Sequence, residues 1–61
     1  MLEYAKTILK KVSFDRKLFE KELVKALRMI VPKDHQEFKI WCYDQFGHIY
    51  RLILNKHFSH I

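Results

Sequence analysis

Five side chains in this sequence could carry nucleophilic or metal chemistry: Cys42 and the four histidines, His35, His48, His57 and His60. A thiolate activated by an imidazole makes a workable nucleophile and base, and His57 and His60, three residues apart, can face one way on a helix. Neither pattern is completed. A tight metal site needs three or four converging ligands, but Cys42 belongs to a different stripe and no carboxylate lies near the histidine pair in sequence. Cys42 follows Trp41 and shares a helical face with Phe38 and Phe46, which suits a small buried apolar group. The chain also lacks a glycine-rich phosphate loop and a paired-carboxylate motif. No catalytic, cofactor-binding or metal-ligating residue is assigned, and the chain is expected to be no enzyme and to take no small-molecule substrate.

The sharpest charged feature is a row of cations. Lys17, Lys21, Lys25 and Arg28, at spacings of four, four and three, form one basic stripe on a helix. Together with Lys10 they are the candidate contacts for a polyanion such as a nucleic-acid backbone. The plainer reading is a solvated helix face, since Glu20 and Glu22 border the stripe and reduce its field. A second nucleic-acid signal fails at the residues that matter. Lys39-Ile40-Trp41 resembles part of the recognition helix of homeodomains, but the asparagine and arginines that follow in that family are replaced by Asp44, Gln45 and Phe46. An aspartate repels phosphates and cannot pair bidentately with adenine. Trp41 is expected in the core with Phe38 and Cys42.

The elements that must position these residues read as helices. Leu2, Ala5, Ile8, Leu9 and Val12 recur at helical spacing, with Lys6, Lys10 and Lys11 between them. Asp15 is placed as the N-cap of a second helix, with Phe14 and Phe19 at the two positions of a hydrophobic staple. That helix carries Phe19, Leu23, Ala26, Leu27 and Ile30 on one arc and should end before Pro32, which can open a third. Phe38, Trp41, Cys42 and Phe46 form the third apolar stripe. Gly47 fits a left-handed helix terminus, and an unbroken helix over 33–60 would be about 42 Å long, against a radius of gyration of roughly 10.5 Å for a compact chain of this length. The expected fold is an all-α compact bundle of three to four short helices, at about 2–12, 16–30, 33–46 and 48–60, in a single domain over 1–61.

Composition supports that class. One glycine and one proline in 61 residues leave little material for hairpin turns. Hydrophobic residues make up 49% of the chain and charged residues 31%, which is the balance of a folded globular protein. The lone cysteine precludes an internal disulfide, so a domain this small must rely on packing or self-association. The first residues, MLEYAKTILKK, hold no apolar run for export, and nothing approaches a membrane span, so no membrane insertion and a cytoplasmic location are expected.

More apolar residues are present than one small core needs. Leu18 and Met29 flank the main arc of the second helix, and Tyr50, Leu54, Phe58 and Ile61 form a second apolar side of the last one. These six residues are the expected protein interface, because large unpaired apolar surfaces mark association sites. The expected role is a protein-interaction module that self-associates as a homodimer, with nucleic-acid binding or regulation through the basic stripe as the alternative. Finally, Leu2-Glu3-Tyr4-Ala5-Lys6, Val12-Ser13-Phe14-Asp15, Leu18-Phe19, Trp41-Cys42-Tyr43 and Phe46-Gly47 together resemble a group of short bacterial helical proteins of unknown function. The resemblance implies a bacterial helical domain and brings no activity, ligand or site residue with it.

Overall fold

The computed structural model describes residues 1–59. The described residues are all-α, with no strand among them: α1 spans Leu2–Val12, α2 Arg16–Met29 and α3 His35–Phe58, the last preceded by a 3-10 turn at Pro32–Asp34. They form two compact units divided between Val31 and Pro32. The division follows from local chemistry. Ile30 leaves the helical region with ψ 133° while its N–H still donates to the Ala26 carbonyl at 2.9 Å, and the following Pro32 brings no backbone donor to continue the helix.

In the first unit α1 and α2 are joined by only Ser13, Phe14 and Asp15, a connection that sets consecutive helices antiparallel. Asp15 holds extended backbone and its Oδ1 accepts from the Leu18 N–H at 3.0 Å, the expected cap. Its own N–H donates to the Val12 carbonyl at 3.1 Å, which tightens the connection. Ala5 and Leu9 of α1 are buried, as are Phe19, Leu23 and Ala26 of α2 and the capping Ile30. The expected staple does not form. Phe19 is fully buried, whereas Phe14 stands 81% exposed.

The second unit is one helical run that doubles back on itself. Phe38 and Phe58 are twenty residues apart, about 30 Å along a straight helix, yet their ring centroids lie 6.0 Å apart. The Tyr43 hydroxyl donates to Asn55 Oδ1, and the Tyr43 ring lies 6.1 Å from Phe58. The reversal is located at Tyr50, the one residue of α3 outside helical geometry, with φ −120° and ψ 33°. Gly47 is the break that the sequence leads one to expect, and here the structure corrects the sequence. Gly47 is buried within the helix, and no glycine has a positive φ. The aromatic contacts across the two arms hold the reversal in place. Four helical segments therefore exist, but the third and fourth are arms of α3 joined at Tyr50.

Candidate functional site

Each residue expected to make contacts has a definite place. Lys10, Lys17, Lys21, Lys25 and Arg28 are all exposed. On α2, Lys17, Lys21, Lys25 and Arg28 fall within roughly 80° of the helix circumference and span about 16 Å of its axis. The opposite face holds buried Phe19, Leu23 and Ala26. Lys25 approaches Glu22 at 3.9 Å, with the lysine side chain 63% and the glutamate 23% exposed. An ion pair this open contributes little to stability. Lys10 stands on α1, and the α2 row is complete without it.

The expected apolar interface is only partly available. Leu18 and Met29 are exposed and Tyr50 is half-buried, but Leu54 and Phe58 are fully buried and Ile61 lies outside the described residues. The correction has a clear cause. The kink at Tyr50 offsets the helical phase, so the side carrying Leu54 and Phe58 turns inward with Ile53, while Ile49 and Leu52 are left exposed. Phe58 is held by Phe38 and Tyr43, and Trp41 packs edge-on to Phe46 at 5.6 Å. Cys42 is completely buried. Among the described residues no three His, Cys, Asp or Glu side chains converge on one point, and no helix is long and apolar enough to cross a membrane; His60 lies outside them.

The concave feature is one that periodicity does not reveal. Between the start of α1 and the end of α2 lies an open cavity of about 150 Å³. Its walls are Met1, at the N-cap of α1, and Tyr4, Ala5 and Ile8 from α1 with Glu22, Lys25, Ala26 and Met29 from α2, closed by Ile30. The space exists because the antiparallel register sets two small residues, Ala5 and Ala26, in the same wall, where larger side chains would fill it. Met1, Tyr4 and Met29 form an exposed apolar rim. A sequence signal is present: a buried-face alanine in each helix at the open end of a helical pair. Phe14 is the most exposed of the large apolar side chains among the described residues; Ile40, Ile49 and Leu52 of α3 also stand in solvent.

Comparison with known proteins adds no assignment: no family model, curated protein or solved structure matches the chain.

Proposed function

We propose that the chain is a small helical interaction module that associates with a second copy of itself, the groove between α1 and α2 of each copy receiving Phe14 of the other. The observation carrying this reading is the pairing, on one helical unit, of an unfilled apolar groove of about 150 Å³ with a phenylalanine that is 81% exposed. An apolar cavity of about that volume accommodates a benzene-sized ring. Phe14 cannot fill its own groove, because it is separated from Tyr4 by ten residues, about 15 Å of helix.

Two-fold pairing makes the contact twice, residue for residue. Burying each ring contributes roughly 1.5–3 kcal/mol, so two rings supply roughly 3–6 kcal/mol, which offsets part of the cost of association and leaves the rest to the apolar rim of Met1, Tyr4 and Met29. Leu18 and Met29 remain contact residues in this reading, while Tyr4 and Met1 join them and Leu54 and Phe58 leave. No catalytic step or cofactor is part of it. A cytoplasmic setting is, supported by a sequence that holds a single cysteine, which is buried.

Light scattering over a dilution series tests the proposal. The wild-type mass should rise from 7.5 kDa toward twice that value with concentration, and Phe14→Ala should hold the monomer mass with an unchanged helical spectrum. A wild-type mass that stays at 7.5 kDa, or a variant that associates as well as the wild type, overturns it.

A further inference from the structure

We propose that the α2 row of Lys17, Lys21, Lys25 and Arg28 is a binding surface for duplex nucleic acid, held through its phosphate backbone without reading bases. The row is an observation separate from the groove. Residues 1–31 carry eight basic and four acidic side chains, a net +4, against four basic and three acidic, a net +1, in residues 32–61, which together give the chain's +5. On α2 itself five cations face two glutamates, and one of those, Glu22, lies beside Lys25 and sits half-buried.

Three features select the partner. A bilayer surface needs an apolar helix face to insert, but the apolar face of α2, with Phe19, Leu23 and Ala26, is already buried in the chain. Single-stranded nucleic acid is held by successive aromatic side chains on which bases stack; Phe19, within α2, is fully buried, and the exposed Phe14 stands before the first cation of the row and not along it. What α2 presents is a straight, rigid line of point charges about 16 Å long. That length runs beside roughly ten duplex charges at one per 1.7 Å of axis. Backbone contacts of this kind position a protein on a duplex and carry no sequence information.

Fluorescence anisotropy with short labelled duplexes of DNA and of RNA, a labelled single strand, and flotation with phosphatidylserine vesicles test the proposal. Four phosphate contacts predict a salt slope of about −3.6, so duplex affinity should fall roughly a hundredfold between 50 and 200 mM salt. The two duplex arms tell which helix form is preferred. The double variant Lys17→Glu, Lys21→Glu should abolish duplex binding, because two cations then face two anions along the row. Neither residue lines the groove, and both are exposed on the side of α2 away from its buried face, so the variant should keep its fold and its self-association. Absence of duplex binding at the lower salt, tighter binding to vesicles or single strands, or undiminished binding by the double variant would each overturn the proposal.

Discussion

Replacing Gly47 with alanine should stabilise the protein. Gly47 occupies a buried helical position with no positive φ, so alanine there relieves the conformational freedom that glycine contributes to the unfolded chain. That effect is about 0.5–1 kcal/mol in a helix interior. The added methyl must also fit. A Cβ built on Gly47 would meet the Tyr43 ring at 3.9 Å, an ordinary van der Waals contact, so no overpacking term offsets the gain. For a domain of this size the expected rise in Tm is about 2–8 °C. Thermal unfolding followed by helical circular dichroism, at protein concentrations matched between variant and wild type, reads it directly. A fall in Tm would refute the reasoning, since it would place Gly47 in the left-handed geometry that a helix terminus requires, with the reversal there and not at Tyr50.

Two further outcomes follow from the packing of α3. Leu54 is fully buried, so Leu54→Ala should cost about 2–5 kcal/mol in urea unfolding. Leu52 is 77% exposed. Its replacement by alanine should therefore change stability by no more than about 0.5 kcal/mol, and equal effects at the two positions would contradict the helical phase set by the kink. Cys42 has no exposure to solvent, so it should react slowly with a thiol reagent in the native protein and rapidly in denaturant. Rapid native labelling would contradict its place in the core.

The difference between what the sequence discloses and what it hides is physical. Local signals read correctly where one interaction decides the outcome: Asp15 caps α2 because a carboxylate beside free N–H groups has no better partner, and the Val31-Pro32 step ends α2 because proline cannot continue it. The row on α2 is visible because a surface helix keeps its period. Periodicity fails where distant contacts override it. Gly47 is the obvious break, yet the cross-arm contacts of Phe38, Tyr43, Asn55 and Phe58 fix the reversal at Tyr50. The same offset moves Leu54 and Phe58 from the expected interface to the core. Phe14 shows the limit from the other side. Its spacing to Phe19 suits a staple, but Phe19 points fully inward and leaves Phe14 in solvent. The groove depends on the register of α1 against α2, which places Ala5 and Ala26 in one wall; neither helix alone carries that information.

The most direct test of the central claim is an isotope-filtered nuclear Overhauser experiment on an equal mixture of labelled and unlabelled protein at a concentration where association occurs. Reciprocal docking predicts intermolecular contacts from the Phe14 ring protons to the methyl groups of Ala5, Ile8 and Met29, all of which line the groove. Intermolecular contacts that exclude Phe14, or a spectrum with none while the mass stays at 7.5 kDa, would contradict it.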